Sequence, residues 1–211
     1  MPRVDFPLYL ITDRHQTAGR PLAHLIEAAV RSGLRAIQLR EKDLDTRQLF
    51  GLAQEVLSCT RPRQACLLVN DRVDLALAVG ADGVHLRSSS LPVKVTRRLL
   101  GPDRLIGVST HSVEEVVRAE SEGADFVVLG PVYQTASKHT YGDPIGLRPF
   151  EEASQRSRIP IFAIGGLTPS RVGEVRKAGA YGVAVISSIL AAPSVESVTR
   201  QFLDALAPRP K

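Results

Sequence analysis

Two pairs of small residues, Gly165-Gly166 and Ser187-Ser188, each follow a short apolar run and have the makings of an anion site. Glycine lets an anion approach backbone N–H groups, hydroxyls add donors, and a helix N-terminus adds favourable potential. The segment carrying them, PIFAIGGLTPSRVGEVRKAGAYGVAVISSIL, reads as strand, glycine turn, helix, glycine stop, strand. Pro160 to Ile164 is apolar and partly β-branched, so it predicts a buried strand. Thr168 suits an N-cap, Pro169 a first helical position and Gly179 the stop, and Gly182 to Ile186 predicts the second strand. Parallel strands would bring both pairs to one spot. The plainer reading is that Gly-Gly turns the chain and the serines cap a last helix.

Further polar residues stand after other apolar runs. Gln38-Leu39-Arg40-Glu41-Lys42 alternates so that Gln38, Arg40 and Lys42 share a side, and Asn70-Asp71, His85-Leu86-Arg87-Ser88 and Ser109-Thr110-His111 end three more runs. Thr135, Ser137 and Lys138 follow a sixth. Cations and hydroxyls gathered at one mouth describe an anion site. His111 is the candidate acid/base group, because imidazole titrates near neutrality. It could instead cap a helix beside Ser112 and Glu115. His85 reads as a hydrogen-bonded interior residue, His139 carries no assignment, and His15 and His24 read as surface residues.

The elements that must position these groups are eight apolar runs: Leu8–Thr12, Ala36–Arg40, Cys66–Val69, Gly83–Leu86, Leu105–Ser109, Phe126–Leu129, Ile161–Ile164 and Gly182–Ile186. Amphipathic stretches separate them: Leu22–Val30, Thr46–Leu57, Val73–Val79, Val93–Leu100, Val113–Ala119 and Leu147–Ser157, with Val195–Leu206 at the end. Strands alternating with helices should be parallel, and eight such units predict an α/β fold, a (βα)8 TIM barrel in a single domain over 1–211. An open doubly wound sheet is the alternative. A helix–glycine–strand repeat at Gly33, Gly80, Gly123 and Gly179 favours the barrel. In a barrel, loops after the strands carry the chemistry. The long connection from Tyr133 to Gly146 reads as a functional loop, such as a lid.

Composition narrows the function. The net charge of +5 comes from 22 arginines and five lysines spread from Arg3 to Arg209, with aromatics at 5% and no Trp, so nucleic-acid binding is not expected. A basic balance suits an enzyme for phosphorylated small molecules. No membrane span or signal peptide is apparent, which predicts a cytoplasmic protein. Cys59 and Cys66 are expected to be reduced, and no metal-binding spacing is present. A homo-oligomer stays open.

Taken together, LYLITD, QLREKD, NDRVDLALAVGADGVHL, IGVSTHS, GADFVVLGPVYQTASK, AIGGL and GVAVISSI resemble the thiamine phosphate synthase and TenI superfamily, along almost the whole chain. The resemblance implies a (βα)8 barrel. In that family, the synthase joins a pyrimidine-methyl pyrophosphate to a thiazole phosphate and releases pyrophosphate. The resemblance places pyrophosphate on Arg40, Lys42, Asn70, Asp71, Thr135, Ser137 and Lys138, with Ser137 for the more usual Thr. It places thiazole phosphate at Gly166, Ile186 and Ser187. One stretch departs. Where the synthase reads His-Leu-Gly-Gln-x-Asp-x-Pro, this chain has His85-Leu86-Arg87-Ser88-Ser89-Ser90-Leu91-Pro92, so the aspartate that holds magnesium with Asp71 falls at Ser90. Magnesium prefers charged oxygen ligands, so the expectation is no cofactor, with Arg87 meeting the anion directly, and Mg only if the chain is a synthase. The TenI branch, whose characterised members aromatise a thiazole carboxylate phosphate by proton transfer, is the primary expectation, with His111 as its catalytic histidine. The alternatives are the synthase, acting on a phosphorylated thiazole substrate, and a non-catalytic barrel that binds a phosphorylated thiamine intermediate and regulates a partner.

Overall fold

A computed structural model describes residues 4–134 and 143–207. Eight parallel strands close into one barrel in sequence order: β1 Leu8–Ile11, β2 Ala36–Leu39, β3 Cys66–Asn70, β4 Gly83–Leu86, β5 Leu105–Thr110, β6 Phe126–Leu129, β7 Ile161–Ile164 and β8 Gly182–Val185. Closure is made by β1 against β8, with Leu8 opposite Val183 and Leu10 opposite Val185, and this rules out an open sheet. The helices are α1 Leu22–Arg31, α2 Thr46–Thr60, α3 Val73–Val79, α4 Val93–Leu100, α5 Val113–Glu122, α6 Arg148–Arg156, α7 Val172–Lys177, α8 Ser187–Leu190 and α9 Val195–Leu206. None of the described helices is long and apolar enough to cross a membrane.

The strands are apolar on both faces because both are covered. Leu8, Leu10, Ile37, Leu39, Leu67 and Val69 face the helices in one apolar cluster, while Tyr9, Ile11, Ala36, Leu68, Phe126, Phe162 and Ala184 form a second one inside the barrel. Phe6, Tyr9, Phe126 and Phe162 stack there with ring centroids 5.4–6.1 Å apart, several edge to face, the arrangement aromatic quadrupoles favour. Gly107 makes room for this plug. A Cβ at that position would lie 2.4 Å from Phe126 Cζ and 2.6 Å from His85 Nδ1.

Local differences from the sequence expectations have local causes. Arg40 lies outside β2 and Ile186 outside β8, so neither is held by the strand pleat. Thr168 makes no side-chain cap. Its hydroxyl pairs with Ser170 Oγ at 2.9 Å, and a 3-10 turn over Pro169–Arg171 precedes α7. Cys59 and Cys66 are free, as expected, and burial foremost, with the charges of Asp82 and Asp5, pushes the Cys66 thiol up to about 11.

Candidate anion site at the barrel mouth

Above the aromatic plug lies a polar layer. Register places Asn70 opposite His85 on neighbouring strands. Gln38, almost fully buried, donates from Nε2 to Asn70 Oδ1 at 3.3 Å. The ring nitrogens of His85 meet Ser109 Oγ at 3.0 Å and Tyr9 OH at 3.4 Å. Burial, followed by the charge of Arg40, pushes the His85 imidazole down to about 3, so the ring is neutral near pH 7 and fixes Ser109 from below. The expectation of an interior, hydrogen-bonded His85 agrees with this.

Arg40 is half-buried just beyond β2, where its main-chain N–H donates to Thr12 Oγ1 at 2.9 Å. Lys42 is exposed on a turn, because the strand ends at Leu39, and the expected Gln38-Arg40-Lys42 alternation therefore stops short. Between them Glu41 turns inward. Its carboxylate accepts Arg14 N–H at 3.1 Å and faces Arg14 Nη1 at 3.5 Å, while Oε1 is buried without a partner. Arg14 also clasps Asp43, which His15 Nε2 meets at 3.1 Å, and the Arg14 hydrogen bond foremost holds the Asp43 carboxyl down to about 2. Sequence reasoning missed Glu41, Arg14 and Asp43. The partners are far apart in sequence, and the only signal was an acid flanked by basic residues in QLREKD.

Asp71 and Arg87 each stand one residue past adjacent strands. Arg87 Nη2 donates to Asp71 Oδ2 and the Ser90 hydroxyl donates to Asp71 Oδ1, while Arg87 N–H donates to Ser90 Oγ at 2.8 Å. Asp71 adopts φ +64°, a left-handed conformation that Asp tolerates better than most residues, and its N–H bonds His85 O at 2.9 Å. Partial burial pushes its carboxyl up, but the hydrogen bonds from Ser90 and Arg87, with the charges of Arg87 and Arg72, outweigh this and hold it low. This arrangement does not suit a magnesium ion. Arg87 and Ser90 each donate to one Asp71 oxygen, so a magnesium ion would compete with a guanidinium for that carboxylate, and Ser90 offers it no charge. Arg87, expected to meet the anion directly, also pairs through Nη2 with Asp71.

His111 follows β5 and is exposed. The cap of α5 is Ser112, whose Oγ accepts Glu115 N–H at 3.2 Å, and Glu115 in turn accepts His111 N–H at 2.7 Å. The imidazole takes no part in capping. Its Nδ1 lies 2.7 Å from Gly130 O, a carbonyl that can only accept, so Nδ1 carries the proton or the ring is cationic. In the neutral ring, the Nε2 lone pair is left for a proton donor.

At the other side of the mouth Gly165 and Gly166 have φ +103° and +63°. A Cβ on Gly165 would come 2.6 Å from Pro131 Cβ, and one on Gly166 would come 2.6 Å from Gln134 O. Close approach of the β6–α6 connection therefore requires the glycines, in addition to the turn. Ser187 is exposed on the one-turn helix α8, near half-buried Ile186, but Ser188 Oγ donates to Leu167 O at 2.6 Å. Ser188 ties two loops together, so its expected place as a free donor in the cradle is corrected. Tyr133 donates to Glu174 at 2.7 Å under the Arg171 guanidinium, 4.4 Å from its ring. Ile145 N–H to Pro131 O at 2.8 Å and Gly146 N–H to Val132 O at 3.3 Å close the base of the expected lid. Thr135, Ser137, Lys138 and His139 lie outside the described residues.

Comparison with known proteins places this mouth in context. A Geobacter sulfurreducens protein provisionally named thiamine-phosphate synthase is 49% identical over 209 residues, covering 99% of this chain and 98% of its own. The thiamine-phosphate synthase of Clostridium novyi is 41% identical, covering 93% and 97%. Thiamine phosphate pyrophosphorylase from Pyrococcus furiosus superposes with a TM-score of 0.86 at 35% identity, covering 95% of both chains. Residues 8–189 match the TMP-TENI family, described as thiamine monophosphate synthase, and with relatives this similar along nearly its whole length the chain belongs to that family.

Proposed function

We propose that this chain is an enzyme of thiamine biosynthesis and that it acts as a thiamine-phosphate synthase. The comparisons favour this over the TenI tautomerase that the sequence suggested first, since relatives 41–49% identical over nearly the whole chain carry the synthase name. The observation that carries the reading is the gathering of Arg40, Asn70 and Ser109 at the same ends of β2, β3 and β5, on the mouth shared with Gly166 and Ser187 after β7 and β8. In this reading Arg40, Lys42, Asn70 and Ser109 hold a pyrophosphate group, with Thr135, Ser137 and Lys138 proposed beside them. Gly165, Gly166, Ile186 and Ser187 hold the thiazole phosphate. The pyrimidine-methylene C–O bond breaks and its electron pair leaves with pyrophosphate. The thiazole nitrogen lone pair then forms the new C–N bond. No oxidant is needed, and the arginine and lysine charges offset the charge that develops on the departing oxygen.

Complementation tests it. A bacterium lacking its own synthase, supplied with both ring precursors, should grow without thiamine when it expresses this chain. No growth despite soluble expression would remove the reading.

A second reading, the thiazole tautomerase, is favoured by His111. Its ring is free of the cap and offers Nε2 to a proton, which is what aromatisation requires. It predicts a rise in thiazole absorbance when the tautomer is supplied alone, and the synthase does not.

A further inference from the structure

We propose that Arg87 is a built-in cation that does the work of a divalent metal at this mouth, so that a pyrophosphate or phosphate group is held there without one. The inference rests on the anion site described above and concerns how its charge is balanced. Three observations carry it. Both Asp71 oxygens already accept hydrogen bonds, one from Arg87 and one from Ser90, so a metal would have to compete with a guanidinium and a hydroxyl for the same carboxylate. Ser90 also accepts the Arg87 main-chain N–H at 2.8 Å, so the hydroxyl standing where the resemblance places a second carboxylate clamps both members of the pair. The pair is electrically neutral, as a divalent ion between two carboxylates would be. A metal added here would be uncompensated and would have to displace a guanidinium from Asp71.

Arg87 also keeps donors in reserve. Its Nη2 is on Asp71 and its Nε is buried out of a ligand's reach, but the side chain stays 40% exposed, so the guanidinium is open to an anion elsewhere on its edge. A planar guanidinium anchored through one nitrogen can present its other N–H groups to phosphate oxygens in a paired geometry, which an ammonium or a hydroxyl cannot do. Arg87 follows β4, and Asn70 at the end of β3 and Ser109 near the end of β5, held by His85, lie on the two strands that flank it. The group recognised is thus an oxyanion of phosphorus, and Arg87 supplies both a charge and directed donors.

The test uses the full chain. Inorganic pyrophosphate is titrated by calorimetry in EDTA, and Mn2+, a paramagnetic stand-in for magnesium, is titrated alone by electron paramagnetic resonance. The wild type should bind pyrophosphate in EDTA and bind no Mn2+ through Asp71. Arg87→Gln should weaken pyrophosphate roughly ten- to hundredfold, the loss expected for charge-assisted hydrogen bonds. The double variant Arg87→Gly/Ser90→Asp should acquire one Mn2+ and need metal to bind pyrophosphate. Three results would overturn the proposal: Mn2+ bound by the wild type and lost in Asp71→Asn, wild-type pyrophosphate binding abolished by EDTA, or unchanged affinity in Arg87→Gln. If the double variant does not fold, the wild-type and Arg87→Gln arms decide. A wild type that binds pyrophosphate in EDTA yet makes no thiamine phosphate keeps the role of Arg87 and removes the synthase reading.

Discussion

His85 gives the mouth a calculable acid sensitivity. It is fully buried against Tyr9, Phe126 and Ser109, and its imidazole is pushed down to about 3, against about 6.5 in the unfolded chain. Between those values the unfolded state binds the extra proton, so stability rises with pH across that window and is lost as pH falls below about 6.5. Each unit below 6.5 costs about 1.4 kcal/mol, which gives a loss of about 2 kcal/mol from His85 between pH 7 and pH 5. For a chain of this size that corresponds to roughly 4–8 °C in Tm. His85→Gln retains a polar group toward Ser109 but cannot be protonated in this range. The assay is urea denaturation of wild type and variant at pH 7 and pH 5. The variant should be less stable than wild type at pH 7, and the gap should narrow by about 2 kcal/mol at pH 5. Parallel losses in the two proteins would refute the argument, because His85 would then not be the buried neutral group that sets the slope.

Other consequences are more local. His111→Asn should lower the turnover of any tautomer aromatisation roughly 10²–10⁴-fold while leaving thiazole phosphate affinity within about tenfold, by absorbance and calorimetry. Loss of binding to the same extent as turnover would make His111 a contact and not an acid/base group. Gly166→Ala must place a Cβ at φ +63° and 2.6 Å from Gln134 O. It should cost about 2 kcal/mol or more in urea denaturation and weaken phosphate binding, the conformation alone accounting for about 1–2 kcal/mol. Ser188→Ala removes the hydrogen bond to Leu167 O and should lower stability by about 1 kcal/mol, or roughly 2–4 °C in Tm, with phosphate affinity unchanged.

The barrel was legible because its signals are local. Each strand is a short apolar run after a helix, and Gly80, Gly123 and Gly179 sit at positive φ where helices end. The mouth was legible in outline, since a residue just past a barrel strand points there whatever its partner. Partners were harder to read. Asp71 and Arg87 are separated by α3 and β4, and the parallel pairing of β3 with β4 makes them neighbours. Opposite charges one residue past consecutive strands could have revealed the pair. Ser188 was misread as a free donor because its acceptor, Leu167 O, is a main-chain group in another loop and leaves no trace in residue types. The glycine pair was read as an anion cradle, but the sequence could not show that Pro131 and Gln134 press against it.

The central claim is condensation at this mouth. Purified protein mixed with hydroxymethylpyrimidine pyrophosphate and thiazole phosphate should yield thiamine phosphate and pyrophosphate in equal amounts, followed by chromatography and a coupled pyrophosphate assay. Omitting either substrate should abolish both products. Failure of folded protein, with bound thiazole phosphate demonstrated, to form thiamine phosphate in either EDTA or added magnesium would contradict the account.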